Sequence, residues 1–314
     1  MKNHLTFILL WLSVTTLTAQ ESQQAYTFLK LPVSARSAAL GGENITVIED
    51  DASLMFSNPA LLSSVTDRTV SLNYMTYMEG TYVGSASFNR IFKEKVSVAA
   101  SAQRISYGNI KQTTADNQIV GDFYANEFAV AAYCSYMLTE RIAGGITAKF
   151  ISSSIGGYHS IGMGVDLGIN YFDPEREWSL SMVAKNLGGQ IKAYEDEYEK
   201  LPFELQAGVS KRFANAPFRL SATIADLTRW ERPFIEHLSA GVDFLFGDSF
   251  WIAAGYNFGR AKEMKIQSSD GESNHGAGIS FGAGLQLERF KISLAYGKYH
   301  VSSSSILANL SFAL

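Results

Sequence analysis

From Thr69 to Leu314 apolar and polar residues alternate with period two, in segments of about ten residues bounded by turn chemistry. The pattern predicts fourteen strands, at 69–77, 81–92, 95–106, 127–138, 141–153, 162–172, 177–187, 203–213, 217–227, 236–246, 249–258, 278–288, 290–299 and 305–314. Successive side chains on a strand point to opposite faces, so each segment sorts its residues into two sets. In the eighth, Phe203, Leu205, Ala207, Val209 and Phe213 share one face, interrupted by Lys211, and Glu204, Gln206, Gly208, Ser210 and Arg212 share the other. In the last, Ile306, Ala308, Leu310, Phe312 and Leu314 oppose Leu307, Asn309, Ser311 and Ala313. One face is apolar, and the other is small and polar.

Either a soluble sandwich or a lipid-facing wall produces such alternation, so the connections decide. Those at 93–94, 139–140, 173–176, 214–216, 247–248 and 289 are tight; those at 107–126, 188–202 and 259–277 are long, with 78–80 an exception. Short turns at one end and longer loops at the other mark an up-and-down barrel of the outer-membrane type. About 9 to 11 residues suffice for a tilted membrane strand. The last strand reaches the C-terminus, where it pairs with the first and leaves no unpaired edge in lipid. The fold predicted is therefore all-β: a 14-stranded antiparallel transmembrane β-barrel in the bacterial outer membrane.

A wall of this size encloses more space than its own side chains fill. The stretch Leu31 to Leu62 differs from everything after it and suits a filler. Leu31, Val33, Ala35, Ala38, Ala39 and Leu40 carry one internal charge, Arg36, and stop at Gly41-Gly42, a pair free to take positive φ. A short β-like piece, Ile45 to Ile48, leads to Glu49-Asp50-Asp51, and Asn58-Pro59 holds the chain extended near the end. Residues 20–68 are expected to form a hatch, or plug, in the lumen, with 69–314 as the barrel. Before them, Lys2, the apolar run Leu5 to Leu17 and Leu17-Thr18-Ala19 predict a signal peptide over 1–19, cleaved after export.

Composition narrows the functions. Charged residues make up 18%, against about 25% in ordinary soluble domains, and the net charge of −4 with no basic patch argues against a nucleic-acid partner. The one cysteine, Cys134, cannot form an internal disulfide. Gly278-Ile279-Ser280-Phe281-Gly282 matches G-x-S-x-G in letters, but that elbow requires a strand, a sharp turn and a helix, whereas this one lies within a strand. No catalytic residue, cofactor site or metal site is assigned. The acids 49–51 are expected to cap hatch backbone or to pair with lumenal arginines such as Arg104 or Arg212 rather than to bind a cation.

Ser34 to Gly42, Asp50-Asp51 and Asn58-Pro59-Ala60-Leu61, in this order ahead of fourteen strands, resemble the N-terminal hatch of the FadL-like outer-membrane barrels. The likeness is to the type IX secretion branch in particular, and Tyr26 to Gly42 is more similar to the PorQ-like than to the PorV-like members. The resemblance implies hatch residues Pro32, Arg36, Gly41, Gly42, Asp50, Asp51, Asn58 and Pro59. It also implies a non-enzymatic role: anchoring a PorZ-like surface protein beside PorU-like and PorV-like members of an attachment complex that joins cargo to lipopolysaccharide. Two loops are candidates for docking, through Tyr194, Glu195 and Tyr198 and through Arg229, Trp230 and Arg232, since aromatic and arginine side chains dominate interface energetics. The alternative is a FadL-like transporter moving a hydrophobic small molecule through the lumen, with the hatch as its gate.

Overall fold

The computed structural model describes residues 24–213, 216–247, 249–268, 271–273 and 275–314. The expected signal peptide lies outside them. The strands are β1 (Thr69–Thr76), β2 (Tyr82–Phe92), β3 (Val96–Thr113), β4 (Ile119–Met137), β5 (Ile142–Ile155), β6 (Tyr158–Asp173), β7 (Trp178–Lys192), β8 (Glu204–Arg212), β9 (Phe218–Ile224), β10 (Leu238–Phe246), β11 (Phe250–Asn257), the short pair β12 (Ile266–Ser268) and β13 (Gly271–Ser273), β14 (Ile279–Gln286), β15 (Phe290–His300) and β16 (Ser303–Ala313). All but β12 and β13 form one closed barrel of fourteen strands, each antiparallel to its neighbours. Closure comes from β1 on β16, in register from Thr69↔Ala313 to Met75↔Leu307. No sheet edge is left along the wall.

The alternation resolves into an inverted burial pattern. Leu72, Val130, Ile146, Leu180, Leu294 and Leu310 point outward and are exposed, Leu294 at 54%. Their polar neighbours Asn73, Ser135, Thr147, Ser181, Ser293 and Asn309 point inward and are buried. Water would penalise the first set and the interior of an oil-like core the second; a bilayer outside and a polar lumen inside satisfy both. Aromatic rings gather at the short-turn end, with Phe213 on Phe218, Phe246 on Phe250 and Phe290 on Phe312. Such girdles sit at the water interface of membrane barrels.

Several strand ends differ from the sequence pattern. The connection expected over 107–126 is mostly ladder: β3 leaves β2 after Ser106, β4 joins β5 only from Ala125, and between them the two strands pair with each other to Thr113↔Ile119. This ribbon projects past the wall, where both faces meet water and the apolar face that marked the strand is no longer needed. β7 runs on to Lys192, into the loop expected at 188–202. The 259–277 loop holds the helix Phe258–Glu263 and the β12–β13 hairpin. Residues 45–48 form no strand, and the Asn44 side chain accepts the N–H groups of Thr46 and Val47.

Candidate functional site in the barrel lumen

Residues 24–66 lie inside the wall and run from its long-loop end to its short-turn end. At the long-loop end Ala25 donates to the Lys200 carbonyl at 3.0 Å, and the Tyr26 hydroxyl meets Ser160 Oγ at 2.5 Å. A helix, Ala35–Ala39, follows, with Ser34 as its N-cap. Its small face lets it approach β14, β15 and β11. Asn309 secures the entry, accepting from Ala35 N and donating to Val33 O. Ser280 secures the exit: its hydroxyl donates to Ala39 O and accepts from Gly41 N, both at 3.0 Å. The G-x-S-x-G serine is thus engaged in holding backbone.

Gly41 and Gly42 have φ of +100° and +92°, which glycine adopts at no steric cost. They turn the chain back after the helix, and Gly42 N closes the turn on Ser37 O at 2.9 Å. Asn58 caps a second turn, accepting from Ala60 N while its amide donates to Ile45 O, and Pro59 follows at the first helical position. This turn touches the wall backbone to backbone: a β-carbon on Gly145 would stand 2.3 Å from Ala60 N.

Toward the short-turn end the contacts are ionic. Arg219 of β9 reaches Glu49 at 3.0 Å and Asp243 of β10 at 3.1 Å. Arg36 lies 3.5 Å from Glu49 and 3.6 Å from Asp243, its guanidinium 4.5 Å above the Trp251 ring. Burial alone would raise the Glu49 carboxyl, but Arg36 and Arg219 hold it below its ordinary value. Asp50 accepts from Thr66 and pairs with Lys291, and these likewise outweigh its burial and lower it. Asp51 caps Ser53, and burial pushes it up. Of the partners expected for these acids, Arg104 faces outward and bonds Asn126, and Arg212 makes no ion pair with them but adds to the positive charge that lowers Glu49.

A cavity of about 240 Å³ lies beside this segment, lined by parts of residues 29–45 and by Phe56 and Ser57, and reaching from the 225–237 connection to Ser101 and Tyr133 of the wall. Pro32 is buried and belongs to its lining. So do Glu204, which the alternation placed on the polar face of its strand, and Glu43, Asp226, His237, Arg260 and Tyr299, none of which was chosen as a site residue from sequence. Burial, followed by the facing carboxylates of Glu204 and Asp226, pushes Glu43 up to about 8, against the opposing pull of Arg260. Arg260 stacks at 4.4 Å on the Tyr299 ring and donates to the Ala277 carbonyl.

The residues chosen as docking candidates separate. Tyr198 and Trp230 are exposed at 66% and 71%, and Glu195 is exposed too. Tyr194 instead turns inward, its hydroxyl on Ser153 Oγ at 2.5 Å. Arg229 and Arg232 line the cavity, and Arg232 pairs with Glu263.

No protein-family model and no curated protein sequence matches the chain. Solved structures of similar fold are the CymD monoaromatic hydrocarbon channel (14% identity, TM-score 0.56, covering 92% of this chain and 98% of that one) and the Pseudomonas putida toluene transporter TodX (14%, 0.55, 88% and 96%). A Pseudomonas aeruginosa FadL homologue is also similar (11%, TM-score 0.54, covering 90% of this chain and 97% of that one). The chain has a barrel fold like that of the FadL homologue, and at these identities the likeness is one of fold.

Proposed function

We propose that this chain is a FadL-type outer-membrane barrel that passes a small molecule through its lumen, with residues 24–66 as the hatch that gates it. The observation that carries the reading is the arrangement of the lumen. A cavity lies under the long loops, which face the outside in barrels of this kind, and the turn 58–60 and the ionic contacts of Glu49 and Asp50 stand between it and the periplasmic end. The solved neighbours named as hydrocarbon channels and a toluene transporter support passage over a purely structural role. Liposome swelling tests it: purified protein should admit small solutes faster once the hatch is loosened, and equal rates with a loosened and an intact hatch would count against gating.

A second reading, partner docking at the cell surface within a type IX attachment complex, draws on the hatch resemblance and on one feature. Trp230 and Phe234 stand 71% and 61% exposed in the connection between β9 and β10. Mild-detergent co-purification of a large surface protein, lost on Trp230→Ala, is its test; purification of a bare barrel would remove it.

A further inference from the structure

The lumenal cavity is rich in hydrogen-bond acceptors that have nothing to accept. Gln206 of β8 lines it, is 3% exposed, and spends its amide N–H on Glu204 Oε1, which leaves its own Oε1 without a partner. His237, 4% exposed, also lines it. Its Nδ1 bonds the Ala225 carbonyl, which can only accept, so in the neutral ring Nδ1 carries the proton and the unpartnered Nε2 is an acceptor. Asp226 Oδ1 has no hydrogen bond, and Glu43 and Glu204 share the same space. Of the donors nearby, Lys149 is committed to Asp166 and Asn186, Arg232 to Glu263 and Arg260 to the carbonyls of Ala277 and Gly278, while Gln103 Nε2 and the Tyr299 hydroxyl are unpaired. Lys185 and Arg229 complete the basic lining, and Lys30 stands 3.9 Å from Asp226 Oδ1, too far for a hydrogen bond.

We infer that the cavity takes a small molecule bearing a protonated amine, held by Glu204 and Asp226 with Glu43, Gln206 and His237 as further acceptors. A primary ammonium brings three donors and a compact charge, and so answers the carboxylates and the unpaired acceptors together. A hydrocarbon would leave all of them buried and unpaired. Lys30, an ammonium on the hatch itself, already stands beside Asp226, so a ligand amine competes with it and loosens the first residues of the gate. This inference rests on the gated-passage reading for its purpose, not for the site.

The test is calorimetric titration of the full chain in detergent with n-butylammonium, n-butanol, toluene and calcium, alongside liposome swelling with the hatch intact and loosened. Butylammonium should bind more tightly than butanol or toluene. Glu204→Gln and Asp226→Asn, each checked for heat-modifiable gel mobility, should each weaken it about tenfold, as loss of one charge-assisted contact does. Equal or tighter binding of toluene or butanol, binding of calcium but not the amine, or variants that bind as the native chain does would overturn the inference. Amine binding without hatch-dependent swelling would sustain the site and remove the gate; swelling without amine binding would do the reverse.

Discussion

Arg219 of the wall holds Glu49 of the lumenal segment at 3.0 Å, and the same guanidinium reaches Asp243 on the next strand at 3.1 Å. Arg219 is 6% and Asp243 0% exposed, so the pair is closed off from water. Removing one member of a buried ion cluster strands the others, at a cost of about 3–5 kcal/mol. Arg219→Met should therefore detach the hatch from the periplasmic end while the ladder of the wall persists. Limited proteolysis of folded protein should then cut within 43–66, which the native chain resists; resistance equal to native would mean the cluster does not hold the hatch.

Steric contact should act in the same direction at a different place. A β-carbon on Gly145 meets Ala60 N and Pro59 C, both at 2.3 Å, and backbone cannot step aside as a side-chain tip can. Gly145→Ala should push the Asn58-Pro59 turn off the wall, keep heat-modifiable mobility, and raise sensitivity to antibiotics excluded by the outer membrane. An unchanged sensitivity would show that this turn does not seal the lumen.

The wall was legible in the sequence because a pleated strand converts period two directly into outside and inside: Leu205 and Gln206 need no further information to find their faces. Tyr107 to Asn126 was not legible, since a ribbon standing clear of the bilayer needs only backbone pairing and carries no apolar stripe. Arg219 and Asp243 did leave a signal, as charges on the small polar face of predicted strands. Glu43 left none. Its neighbours Glu204, Asp226 and Arg260 come from a strand, a loop and a short helix far apart in the chain, and closure of the barrel alone brings them together. Tyr194 was misjudged for a related reason, because periodicity does not set the direction of a loop side chain.

Glu43 makes stability depend on pH. Its carboxyl is raised from 4.5 to about 8 in the folded protein, first by burial and then by Glu204 and Asp226. Below pH 4.5 both folded and unfolded forms hold the proton. As pH rises the unfolded chain releases it first, so the stabilisation from the protonated group declines and is gone once pH passes about 8. The gap in unfolding temperature between Glu43→Gln and the native chain should widen in favour of the variant from about pH 5 to about pH 8. A gap constant with pH would place Glu43 in contact with water.

Cys134, the one cysteine of the chain, is exposed on the outward face of β4 between Val98 and Ile146. In outer-membrane vesicles it should react with a lipid-soluble maleimide and resist a charged one. Rapid labelling by the charged reagent would put that face in water and contradict the bilayer orientation.

The proposed gating is tested most directly by locking residues 24–66 to the wall. The Leu40 β-carbon lies 2.9 Å from where one on Gly241 would stand, so a shift of roughly 1 Å brings a cysteine pair to disulfide distance. The protein carrying Leu40→Cys, Gly241→Cys and Cys134→Ala, reconstituted in liposomes, should pass small solutes only after reduction, with oxidation closing it again. Equal flux in the oxidised and reduced states would mean that solute passes without movement of residues 24–66, and would contradict the account.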